Sequence, residues 1–176
     1  MKDVLTFMKK IAPDAVEVNL PFVTAVWNVP KIEETSNDET NVTWDTWQPN
    51  ECEKKAAWEL YIELTTRITT QPLKDEDGLE KAALKGLHSL FATTRDILKN
   101  NGAMTANFSV IAIAVLNDVI RPFTAKWHGK ETMLDNNKTS EMGREFRHEL
   151  RTLQITLQEY ATVLLKITGI EIQKDN

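Results

Sequence analysis

Cysteine is all but missing from this chain. Cys52 stands alone, so no internal disulfide and no cysteine-built zinc site can form, and a reducing compartment is expected. Glycine and proline are also scarce, at six each in 176 residues. That excludes collagenous and low-complexity chains and favours long regular elements over many turns. Long apolar runs are absent as well. The longest, Val110 to Leu116, has seven residues, against roughly 20 for a bilayer-spanning helix. The segment Met1 to Lys10 lacks the apolar core of a signal peptide. A soluble, cytoplasmic protein without membrane attachment is therefore expected. Basic excess is missing too: the net charge is −5, which argues against a nucleic-acid partner. Neither Gly-x-Ser-x-Gly nor a glycine-rich phosphate loop occurs, so nucleophilic and nucleotide-hydrolysing chemistry have no support.

What is present is an ordinary globular balance, 41% apolar and 27% charged, distributed over two unlike regions. Residues 1–50 carry eight acids against four lysines, while residues 51–176 carry eighteen acids against seventeen basic residues. The first region is irregular. A short helix is expected over Lys2 to Ile11. Val16, Val18 and Leu20 then alternate with Glu17 and Asn19, the period of a strand, and Val42 to Trp47 could return as its partner. Residues 1–49 thus read as an N-terminal arm, with a short helix and a small β-hairpin that needs another surface for its apolar side chains.

Residues 50–176 read as four helices. Asn50 and Glu53 form a capping-box pattern ahead of Ala57, Leu60, Tyr61, Leu64 and Ile68, and Pro72 ends that run. A second helix starts near Asp77, with Glu80 completing a similar box, and stops at Asn100-Asn101-Gly102. The third, about Thr105 to His128, is apolar on most sides and should be enclosed by its neighbours, with Pro122 bending it. The fourth runs from Ser140 to Thr168 and carries the most regular apolar stripe. The expected fold is mainly α: an antiparallel up-down-up-down four-helix bundle with the N-terminal arm.

That topology sorts the polar residues by height. Arg67, Lys126, His128 and Arg144 fall toward the end that holds the 72–77 turn and the 129–139 loop, with Arg121 about 10 Å lower. Asn117, Arg121, Thr124 and His128 share one helix face. Arg67, Asn117, Arg121, Lys126 and His128 are accordingly the candidate ligand-binding residues, suited to a phosphate or carboxylate. Against this, Glu63 can pair with Arg67 or Arg121, and arginine stems often just cover a core. Arg95 is expected to bridge to Glu53 or Glu159. A single-ion metal set of Glu63, His88 and His148 is conceivable. Glu145, Arg147 and His148 read more simply as part of a solvated charged face, so neither metal nor cofactor is assigned. Trp58 and Trp127 are expected at helix seams. Trp44 and Trp47 either dock the arm or form a protein-partner surface.

Three strings carry a wider pattern: Trp58-Glu59-Leu60-Tyr61, the Thr-Arg pairs at Thr66-Arg67 and Thr94-Arg95, and Arg121-Pro122-Phe123-Thr124-Ala125-Lys126-Trp127-His128. Over about residues 50–170 the chain resembles a family of bacterial helical proteins without a settled function. The resemblance implies an association with bacterial defence genes and transfers no catalytic residue. The expected function is that of a non-enzymatic binding protein, an accessory or sensor component of a bacterial multi-protein system of antiviral kind. The alternative is a sensor of a small anionic ligand or nucleotide, and a metal-dependent enzyme ranks third.

Overall fold

Asn50 sets the first helix in place, as its sequence pattern predicts. Its side-chain oxygen accepts from the backbone N–H groups of Cys52 (2.9 Å) and Glu53 (3.0 Å), and the Glu53 carboxylate accepts from the Asn50 N–H at 3.0 Å. These bonds satisfy donors that a helix start leaves open. In the computed structural model, which describes residues 6, 7, 10, 47–73, 78–134 and 140–170, four helices follow. They are α1 (Glu51–Thr65), α2 (Glu80–Asn101), α3 (Ala103–His128) and α4 (Glu141–Thr168). The protein is mainly helical, and no strand occurs among the described residues.

The chain divides into two compact units, Met1–Gln48 and Pro49–Asn176. In the first, Thr6, Phe7 and Lys10 have helical backbone, and Phe7 and Trp47 are buried. The anticipated hairpin lies outside the described residues. In the second, every pair among the four helices is in contact, and α1 packs most extensively on α4. Leu60, Leu64, Leu87, Leu90, Phe108, Ile111, Phe146, Leu157 and Leu164 are among its buried side chains.

Helix ends depart from expectation in two places. Helix α1 stops at Thr65 rather than near Ile68. The reason is a run of hydroxyls that bond backward to the helix: Thr65 to the Tyr61 carbonyl, Thr66 to that of Ile62, and Thr69 and Thr70 both to that of Leu64. Such bonds compete with helix continuation. The turn that results is fixed to α4, since the Gln154 amide donates to the carbonyls of Ile68 (2.7 Å) and Gln71 (2.6 Å), and that of Gln158 to Thr70 (2.8 Å). Helix α2 starts at Glu80 without a side-chain cap. Glu80 does not close a capping box. It is buried and accepts from Arg147 Nε at 2.7 Å. Arg147 is therefore not part of a solvated face either; only 4% of its side chain is exposed.

Two N-termini share one acid. Glu53 is buried, and besides the Asn50 N–H it accepts the Phe108 N–H near the start of α3 at 3.2 Å. The Asn50 amide donates to the Met104 carbonyl at 2.8 Å. The starts of α1 and α3 are thereby tied together. Gly102 takes a positive φ of 71° in the sharp turn from α2 into α3, and Gly169 closes α4 with a φ of 75°; both are conformations that a side chain would strain.

Helix α3 does not simply bend at Pro122. Val115–Ile120 winds more widely, and the Arg121 N–H reaches back five residues to the Leu116 carbonyl. Pro122 then sits in the first turn of a fresh α-helical stretch, Arg121–His128, where its missing N–H costs nothing. The helix is also less enclosed than its composition suggests, with Ile113 exposed. By length and composition α3 is the one described helix that could cross a membrane, which the count of its longest unbroken apolar run had hidden. Trp127 is fully buried, whereas Trp58 is 42% exposed and not at a seam; it stacks on Tyr61 with ring centroids 5.6 Å apart.

The buried Glu80–Arg147 pair gives a direct test. Arg147→Ala should lower unfolding free energy in urea by about 3–5 kcal/mol, because it strands a desolvated carboxylate. The double replacement Glu80→Leu with Arg147→Met should restore most of that loss.

Candidate functional site

The wide turn before Pro122 decides which side of α3 carries which residue. Phe123 and Trp127 point inward and meet Phe146 of α4 in an edge-on aromatic cluster, with centroids 5.3 and 5.0 Å from that ring. The Trp127 indole N–H donates to Glu149 at 3.0 Å. Lys126 pairs with both Glu145 (2.9 Å) and Glu149 and also stands over the Trp127 ring. The two carboxylates hold the Lys126 ammonium in its charged form and raise its pKa, and the same contact lowers that of Glu145. Lys126 is thus engaged by α4.

The other side of this stretch faces α2. Together they form a solvent-open groove of about 420 Å³, lined by His88, Ser89, Phe91, Ala92 and Arg95 of α2 and by Arg121, Thr124, Ala125 and His128 of α3. The two contributions mirror each other. Along α2 the order is His88, Ala92, Arg95; along α3 it is Arg121, Ala125, His128. The helices connect through the Gly102 turn, so one series ascends as the other descends. The His88 and His128 rings meet edge-on with centroids 4.9 Å apart. One turn along, the Arg121 guanidinium lies over the Phe91 ring at 5.1 Å, a cation–π contact. The alanines of the middle rung keep the helices' side chains short and leave the groove open.

No aspartate or glutamate is among the groove-lining residues, although the chain as a whole is acidic. Arg121 is oriented by Asn117, whose side-chain oxygen accepts from Nε (3.1 Å) and Nη2 (2.9 Å). A neutral amide fixes the guanidinium without cancelling its charge. Arg95 makes neither of the bridges expected of it: Glu53 is occupied at the helix starts, and among the described residues Arg95 forms no ion pair with Glu159. At the histidine end, His128 Nδ1 lies 3.3 Å from Glu131 Oε2.

The candidate ligand residues are therefore divided. Arg121, Asn117 and His128 gather at the groove. Arg67 stands behind it, paired with Glu63 and donating to Ser89 Oγ at 2.7 Å. Lys126 belongs to the α4 cluster. The sequence reading missed two contributors, His88 and Arg95, and the signal that could have found them was the reversed His-x6-Arg and Arg-x6-His spacing on adjacent helices. Glu63, His88 and His148 form no metal-binding group, and no such group of three or more ligands occurs among the described residues. Trp44 lies outside the described residues, and Trp47 is 3% exposed.

Comparison with models of known protein families, with curated proteins and with solved structures gives no match.

The aromatic cluster can be probed without touching the groove. Trp127→Phe keeps a ring but removes the donor to Glu149. It should lower stability by about 1.5–3 kcal/mol, as expected for a hydrogen bond to a charged group, when measured by urea unfolding at neutral pH.

Proposed function

We propose that residues 50–176 form an antiparallel up-down-up-down four-helix bundle, with residues 1–49 as an N-terminal arm, and that the protein is a non-enzymatic sensor of a small anionic ligand held in the α2–α3 groove. The observation that carries this reading is that Arg95 and Arg121 both line a groove whose lining residues include no carboxylate. Two guanidiniums facing one space repel each other, and an anion entering that space relieves the repulsion. Arginine also presents a planar fork of donors that matches the oxygens of phosphate or carboxylate. Asn117 pre-orients one of the two forks, which reduces the ordering cost of binding.

The reading fits an accessory or sensor component of a bacterial multi-protein system, of the antiviral kind that the motif resemblance suggests, working in the cytoplasm. The Arg-Pro-x-x-x-Lys-Trp-His string then has a division of labour. Arg121 and His128 serve the groove, Trp127 serves the core, and Lys126 anchors α4. Binding without bond breaking is preferred because the groove's two hydroxyls, Ser89 and Thr124, donate to backbone carbonyls rather than to His88 or His128, and no group of three or more metal ligands occurs among the described residues.

Inorganic phosphate is the simplest probe. Calorimetry at low salt should show saturable binding that weakens as salt is raised, since exposed charges are screened. Arg95→Gln with Arg121→Gln should weaken it at least about tenfold, corresponding to about 1.4 kcal/mol, while Lys126→Gln should leave it unchanged. Absence of saturable phosphate binding, or equal affinity in the double arginine variant, would refute the assignment.

A further inference from the structure

The mirrored order of groove residues points to the shape of the ligand. His88 and Arg95 on α2, like Arg121 and His128 on α3, are seven residues apart, which is about 10 Å along a helix. The groove therefore has an arginine end, Arg95 and Arg121, and a histidine end, His88 with His128, separated by Ala92, Thr124, Ala125 and the Phe91 ring, which lies under the Arg121 guanidinium and 5.8 Å from the His88 ring. Resting on the anion-sensing assignment above, we propose that the groove binds a linear dianion whose two anionic groups are about 10 Å apart, one at each end. The class comprises chains with terminal phosphate, sulfonate or carboxylate groups.

The two ends differ in how their charge responds to pH. Arginine stays protonated throughout the physiological range, so the arginine end attracts an anion at any working pH. Histidine is the side chain whose charge changes between about pH 5 and 8. The histidine end thus carries positive charge only when its imidazoles are protonated. The groups facing this end are few. From α2 it is Ser89, with Arg95 two turns farther along the helix. From α3 comes Arg121, and from the turn after it Glu131, in contact with His128 Nδ1. From α1, Arg67 reaches Ser89 with its charge already met by Glu63. The two rings touch edge to face, so an anion at this end sits beside them, and charge holds it there only when an imidazole is protonated. Ligand binding is consequently coupled to proton uptake, and the groove grips both ends of a dianion in acid and only one end in base.

The experiment uses the full chain and probes of fixed charge, because phosphate itself titrates near pH 6. Methanesulfonate and a linear alkane-α,ω-disulfonate with sulfurs about 10 Å apart are compared by calorimetry at about pH 5.5 and about pH 8. At the lower pH the disulfonate should bind about tenfold or more tightly than methanesulfonate, through the effective concentration of its second group. At the higher pH this advantage should shrink toward zero. His88→Gln with His128→Gln should abolish the advantage at both pH values while keeping methanesulfonate binding, which also shows that the variant is folded. A disulfonate that binds no better than methanesulfonate at about pH 5.5 overturns the proposal while leaving the anion site standing. So does an advantage that ignores pH or survives the double histidine variant. If neither sulfonate nor inorganic phosphate binds, the anion-sensing assignment itself falls.

Discussion

The wide turn at Val115–Ile120 is the feature on which the rest of α3 depends. A backbone bond that reaches back five residues instead of four inserts one extra residue into the helix. That shifts the phase of everything beyond it by about 100°, the angle of one residue in a 3.6-residue turn. The shift turns Phe123 and Trp127 toward Phe146 and turns Arg121 and His128 toward α2. Pro122 makes the irregularity inexpensive, since it has no N–H to lose. Without the extra residue, the Arg-Pro segment would present its core and its charged face in the wrong directions.

Buried charge does a second kind of work in this protein. Glu53 joins the starts of α1 and α3, and Glu80 joins the start of α2 to Arg147 near the start of α4. Each carboxylate occupies a place where unsatisfied donors or an opposite charge would otherwise be buried alone. Ion pairs of this kind are poor sources of net stability, but breaking them is costly. Their effect is to penalise any sliding of one helix against another. That register is what brings His88 level with His128, so the structural acids and the groove are linked through helix position rather than through contact.

Surface electrostatics completes the arrangement. The chain is acidic overall, yet three carboxylates around the groove are engaged by other cations, Glu63 by Arg67 and Glu145 and Glu149 by Lys126, while Glu131 meets the groove only at His128. This leaves Arg121 with a neutral partner, Asn117, and a ring face, Phe91. In the proposed anion-binding role, that neutral company leaves the Arg121 charge available to a small ligand.

Local signals alone sufficed for the four helices, the Asn50–Glu53 cap, the Gly102 and Gly169 stops and the Ser140 start, because capping and apolar periodicity act within a few residues. The Arg121–Asn117 contact was legible for the same reason, being one turn apart on one helix. Partnerships across the fold were not. Glu80 looked like a cap and Arg147 like a solvated residue, although they stand 67 positions apart and meet in the core. Arg95 looked like half of an ion pair, and His88 and His128 showed no sign of meeting. Charge complementarity has no period, so the chain can say that an arginine needs a partner but not which one; only the packing of the helices, and the phase shift before Pro122, makes that choice.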